Sequence, residues 1–145
     1  MNDSTRMLSP TEIREAGLAD WRRLLTGLSA RYLAPDFASG LAFVNRIGEA
    51  AEAANHHPDV VLKYAEVRVL LLSHDVNGVT SRDVDLARTI SDLAAQAGLR
   101  SVPQRQSQVE LCLDTEEGST AAAFAAGAVS DISFFLRCQA PITEP

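Results

Sequence analysis

From Asp36 to Pro58 the chain can satisfy its backbone and its apolar side chains together in one way, as a helix. Asp36 follows Pro35 and offers a carboxylate to the first free amide protons. Phe37, Leu41, Val44, Ile47 or Gly48, and Ala51 then recur at three- and four-residue intervals, while Arg46, Glu49 and Glu52 fall off that stripe. The helix has to stop by about Asn55, because Pro58 lacks an amide proton and drives His57 out of the α region. His56 and His57 are thereby expected at a helix-to-strand corner.

Around this helix the remaining signals fall into place. Ser9-Pro10-Thr11-Glu12 is a capping box with proline in the first helical position, and Gly17 supplies a stop for a short helix. Trp21 to Leu25 and Leu28 to Leu33 flank Thr26-Gly27, which predicts a hairpin in which Leu28, Ala30 and Tyr32 share a face. Val60 to Tyr64 and Val67 to His74 are rich in β-branched and aliphatic residues and predict a second hairpin across Ala65-Glu66. Both faces of the longer strand are partly apolar, so one is expected to meet helices and the other a partner subunit. Asp75-Val76-Asn77-Gly78 reads as a turn, and Thr80 to Asp83 as a second capping box. It opens a helix carrying Leu86, Ala87, Ile90, Leu93, Ala94 and Ala97 on one face and ending at Gly98. The order α-β-β-α-β-β-α predicts an α+β fold, a four-stranded antiparallel sheet with helices packed on one face.

Composition narrows the function. The 145 residues are 46% apolar and 22% charged, with a formal charge of −6 and a pI near 5.0, so the basic footprint of a nucleic-acid binder is missing. No apolar run approaches the ~18–20 residues of a membrane span, and Met1 to Arg6 has no signal-peptide character, so a cytoplasmic location is expected. Cys112 and Cys138 cannot build a disulfide scaffold or a CxxC site.

What remains chemically is histidine, with His56, His57 and His74 all within nineteen residues. A histidine is often a surface or satisfied structural residue. Adjacent His56 and His57 make awkward zinc co-ligands and no HExxH helix is present, so no metal is expected. Ser73-His74-Asp75 is no triad, because consecutive strand residues point to opposite faces.

Glu52, three residues, His56-His57-Pro58, five residues, Tyr64, nine residues, His74, eight residues, Asp83: this series resembles the signature of the pterin-4a-carbinolamine dehydratases, also called 4a-hydroxytetrahydrobiopterin dehydratases. The resemblance runs from about Leu8 to Ala97. It implies that family's four-stranded antiparallel sheet with helices against one face. It also implies dehydration of a 4a-hydroxytetrahydropterin to the quinonoid dihydropterin, in recycling of the cofactor of aromatic amino acid hydroxylases. Histidines suit that reaction, since a proton must reach the departing hydroxyl and another must leave N5, and no bound cofactor is needed. By resemblance His56 and His74 are the acid/base pair and His57 mainly holds the pterin, all three being catalytic-site residues. Asn55 and Ser73, His74 and Asp75 are implied as further pterin contacts. Glu52 and Asp83 match the acidic positions that fix histidine tautomers, though each also reads as a plain helix residue. Pro58 sets the corner, and Tyr64 is expected in the core or a pocket wall.

Residues 1–98 are thus expected to form the dehydratase-like domain and residues 99–145 an extension. Within the extension, Gln108 to Leu113 alternates as a strand and Thr120 to Ala128 is an alanine-rich helical stretch. That segment faintly resembles the opening of a glyoxalase-like module. A homodimer or homotetramer is expected, with a functional link to a hydroxylase. The rival reading is a non-catalytic interaction protein of the same fold, either a transcription-factor dimerisation cofactor or an assembly chaperone.

Overall fold

Ser9 caps helix α1 (Pro10–Glu15): its hydroxyl accepts the Glu12 amide proton and the Glu12 carboxylate returns to the Ser9 amide. The computed structural model describes residues 5–24 and 27–106. Of the first unit, which ends at Gln106, only residues 1–4, 25 and 26 lie outside this range. Beyond α1, Gly17 takes a positive φ of 68°, and the chain enters strand β1 (Trp21–Arg23), pairing antiparallel with β2 (Leu28–Leu33). Helix α2 (Phe37–Ala54) leads to the hairpin of β3 (Asp59–Lys63) and β4 (Glu66–Leu71), and α3 (Ser81–Gln96) follows. The strand order is β1-β2-β4-β3, all pairs antiparallel, and the expected four strands are present.

The sheet takes up residues past Gly98, where the sequence reading placed the end of the domain. Arg100–Ser101 form a fifth short strand, β5, pairing with Tyr32 and Leu33 on the stretch of β2 that β1 leaves free. Leu99 and Val102 are buried on either side of it. The strand and helix expected at Gln108–Leu113 and Thr120–Ala128 lie outside the described residues.

Register explains the core. Ala30, Val69 and Val60 lie opposite one another, as do Tyr32, Val67 and Leu62, so a single face carries the apolar residues of three strands. Helices α2 and α3 bring Phe43, Ile47, Leu86 and Ile90 onto that face. The Phe43 ring meets Tyr32 edge-on, with centroids 5.3 Å apart. The stripe α2 buries is Gly40, Phe43, Ile47 and Ala51, displaced around the helix from the one expected, and Phe37 and Leu41 stay nearly half exposed. Close approach selects the stripe: a Cβ at Gly40 would come within 2.9 Å of Leu62 Cδ1, whereas one at Gly48 would meet nothing, so of its two glycines the helix seats Gly40 on the sheet. The opposite face sets Arg31 directly across from Arg68, a like-charge pair that Glu66 offsets by contacting both.

Gly27 shows how tightly the first hairpin is built. A methyl group there would fall on the Leu71 carbonyl oxygen. Gly27→Ala is therefore expected to destabilise the protein by about 1–3 kcal/mol through forced backbone displacement. Urea denaturation checks this, and an unchanged midpoint would contradict the close contact.

Candidate active site

The corner after α2 is made by Asn55, whose left-handed backbone (φ 48°, ψ 40°) ends the helix while the His56 amide still donates to the Ala51 carbonyl. Asparagine is among the few side chains that tolerate this conformation. The turn separates its two histidines. His56 goes inward and is 8% exposed, whereas His57 stays in solvent, with Nε2 3.0 Å from Glu52 Oε1. Pro58 then starts the extended run into β3.

His56 reaches the first turn of α3. Its Nε2 lies 2.7 Å from Oδ1 of Asp83, which is fully buried. The other carboxylate oxygen, Oδ2, accepts the Thr80 amide proton at 2.8 Å and the Ser73 hydroxyl at 2.7 Å, with the Thr80 hydroxyl close by. Asp83 therefore does two things with two oxygens. Oδ2 closes the capping box of α3, and Oδ1 faces a ring nitrogen from the end of α2. A buried carboxylate needs such a set of partners, and here they come from three places in the chain: the corner after α2, the loop after β4 and the N-cap of α3. The contact also fixes the ring chemically. With Nε2–H donating to Asp83, neutral His56 keeps its lone pair on Nδ1, which has no hydrogen-bond partner among the described residues.

His74 is reached differently. β4 ends at Leu71, short of the expected strand end, because the chain folds into a tight loop: Ser73 and Gly78 form an isolated bridge and His74 to Asn77 make the turn between them. Asn77 supplies its positive φ of 50°. The base of the loop is held by the Ser73 hydroxyl on Asp83 and Thr80. Met7 lies over Gly78, where an added Cβ would be 2.7 Å from its sulfur, and the Leu8 amide donates to the Val79 carbonyl. The tip is held by Asp75, both of whose oxygens accept from Arg82 Nη2, at 2.7 and 2.8 Å. The guanidinium holds the Asp75 carboxyl below the usual carboxylate range. His74 itself is exposed and has no side-chain hydrogen bond among the described residues.

Beside His56 lies a cavity of about 210 Å³ between α2 and α3, lined by Ala50 and Ala54 on one side and Arg82, Asp85, Leu86 and Thr89 on the other. Small side chains form its walls on α2, and polar ones its rim on α3. Among the described residues, no group of three His, Cys, Asp or Glu side chains is arranged to hold a metal ion.

The expected residues thus divide into three clusters: His56 with Asp83, Ser73 and Thr80; His57 with Glu52; and Asp75 with Arg82 beside His74. Ser73, expected against the pterin, is 1% exposed with its hydroxyl committed to Asp83. Asn55 is exposed and acts through its backbone. Tyr64 belongs neither to the core nor to the cavity wall: it sits in the β3–β4 turn, 78% exposed. Thr80 and Arg82 were not singled out from sequence as site residues. A capping threonine and an arginine seven positions after an aspartate were the available signals.

The family profile described as pterin 4 alpha carbinolamine dehydratase matches residues 6–93. The chain belongs to the pterin-4a-carbinolamine dehydratase family. Relatives bear the same provisional name: one from Thermosynechococcus vestitus is 43% identical over 89 residues, covering 60% of this chain and 94% of the relative. Another, from Nocardia farcinica, is 41% identical over 93 residues, covering 63% of this chain and 98% of the relative. A crystal structure of a transcriptional coactivator/pterin dehydratase from Brucella melitensis superimposes with a TM-score of 0.59 at 29% identity, covering 61% of this chain and 99% of that one. The pterin-4a-carbinolamine dehydratase fold thus accounts for the α+β architecture. Among the described residues of this family member, no helix is long and apolar enough to cross a membrane.

Proposed function

We propose that the chain removes water from 4a-hydroxytetrahydropterin, giving the quinonoid dihydropterin, by histidine general acid/base catalysis in the recycling of tetrahydrobiopterin. The observation that carries this reading is the contact between His56 Nε2 and the fully buried Asp83. An imidazole backed by a buried carboxylate is oriented, held in one tautomer, and left with Nδ1 for substrate. In the reaction the C4a–O bond breaks as the N5 lone pair forms the N5=C4a bond. One proton joins the departing hydroxide and one leaves N5, so no electrons enter or leave. A histidine on either side of the carbinolamine carbon supplies both transfers, each typically worth about 10²–10⁴ in rate. His56 and His74 take these roles. His57, paired to Glu52 in solvent, and the Asn55 and Asp75 segments provide the remaining pterin contacts.

The same reading includes a homodimer or homotetramer working in the cytoplasm beside an aromatic amino acid hydroxylase. In its support, Phe37 and Leu41 on α2 and Val61 on the outer strand β3 stay 44–49% exposed, and light scattering measures the number of subunits.

The test is stopped-flow loss of the absorbance of chemically prepared 4a-hydroxytetrahydropterin. The protein is expected to accelerate the decay in proportion to its concentration, and His74→Ala to lower turnover by at least about tenfold with the fold retained. No acceleration by the wild-type protein would overturn the reading.

A further inference from the structure

We infer that Arg82 is a positioning residue for His74, acting through Asp75; this rests on the dehydratase reading, in which His74 moves a proton.

His74 has no hydrogen-bonded partner among the described residues, so its place depends on the backbone either side of it. On one side Ser73 is buried and tied to Asp83. On the other, Asp75 is tied to Arg82 at 2.7 and 2.8 Å. Both anchors are consecutive residues in the first turn of α3, and Asp83 is also the residue that orients His56. One helical turn thereby references both histidines to a single rigid element. Without Arg82, the segment from His74 to Asn77 keeps the Ser73–Gly78 bridge, the Ser73 hydroxyl and the Val76 amide's hydrogen bond to the Ser73 carbonyl, all of which tie it to the base of its loop and leave the tip unanchored to α3.

The pair is too exposed to matter much for stability, since Asp75 is about half exposed and Arg82 about a third. Its effect is directional, because Nη2 is shared by both Asp75 oxygens while Nε donates to the Thr80 hydroxyl, so the planar guanidinium is held at two points. Arg82 also borders the cavity beside His56, so the residue that holds the His74 loop lines the space next to the other histidine.

The experiment compares Arg82→Ala, Arg82→Lys and Asp75→Asn in the wild-type chain and in His74→Ala. A misplacement near 1 Å can cost up to about 100-fold, so Arg82→Ala and Asp75→Asn are each expected to lower kcat about tenfold. In Arg82→Ala KM should stay within about threefold, because the loss falls on proton transfer and not on uniform binding. Lysine can present one nitrogen to Asp75 but lacks the Nε–H that Arg82 donates to the Thr80 hydroxyl, so it should restore only part of the loss. In the His74→Ala background the Arg82 substitutions should change kcat by less than about twofold, since the group they position is gone. Independently of activity, the ring C–H signals of His74 should shift or broaden in Arg82→Ala while those of His56 stay in place.

Unchanged His74 signals, or a kcat loss in the His74→Ala background as large as in the wild type, would overturn the inference. If the wild-type protein shows no dehydration, the functional reading fails by itself, and the His74 spectra still decide whether Arg82 holds the loop.

Discussion

Asp83→Ala is expected to destabilise the protein by about 3–5 kcal/mol, the range for removing one partner of a buried charged network. The Thr80 amide, the Ser73 hydroxyl and His56 Nε2 would lose their shared acceptor inside the core, and each unpaired buried group costs about 1–3 kcal/mol. Asp83→Asn separates stability from chemistry. Its single oxygen can serve the Thr80 amide, and its amide nitrogen then faces His56 as a donor. Much of the fold stability should survive, but neutral His56 would have to accept at Nε2 and carry its proton on Nδ1, the wrong tautomer for the proposed role. Turnover is expected to fall by about 100-fold, the lower end of what general acid/base catalysis supplies. Urea denaturation and stopped-flow dehydration measure the two effects separately. Full turnover in Asp83→Asn would show that the carboxylate has no part in orienting the ring.

His56→Ala is expected to lower turnover by about 10²–10⁴. The structural loss is smaller than for Asp83, because Oδ2 of Asp83 keeps its cap and only Oδ1 loses a partner. A stability change of about 1–3 kcal/mol is expected, so the variant remains folded for assay. An equal fall in turnover and in folded fraction would reduce His56 to a structural residue.

Local signals made much of the fold legible. Ser9, Asp36 and Thr80 cap their helices as the sequence predicts, and α2 stops at Asn55, within the limit that Pro58 sets. What the sequence obscured was set by tertiary distance. Apolar residues cover more than one stripe of α2, and only the approach of Gly40 to Leu62 decides which is buried. The strand through His74 stops at Leu71 because Ser73 and Gly78 pair across a tight turn, an arrangement that the aliphatic run before it conceals. β5 has two residues and no pattern of its own, existing because β1 leaves part of β2 unpaired.

At the site, the signature series marked Glu52, the histidines and Asp83, and the structure pairs Glu52 with His57 and Asp83 with His56. Asp83 read as either a cap or an imidazole partner, and its two oxygens let it be both. The connection of Asp75 to Arg82 joins a loop to a helix, and neither residue has local context that announces the other.

Dehydration of 4a-hydroxytetrahydropterin by the wild-type protein and by the His56→Ala/His74→Ala double variant, in one stopped-flow series at neutral pH, tests the central claim most directly. The account predicts acceleration by the wild type and a residual acceleration in the double variant at least about 100-fold weaker, with both proteins folded. A double variant that dehydrates the pterin as fast as the wild type would contradict it.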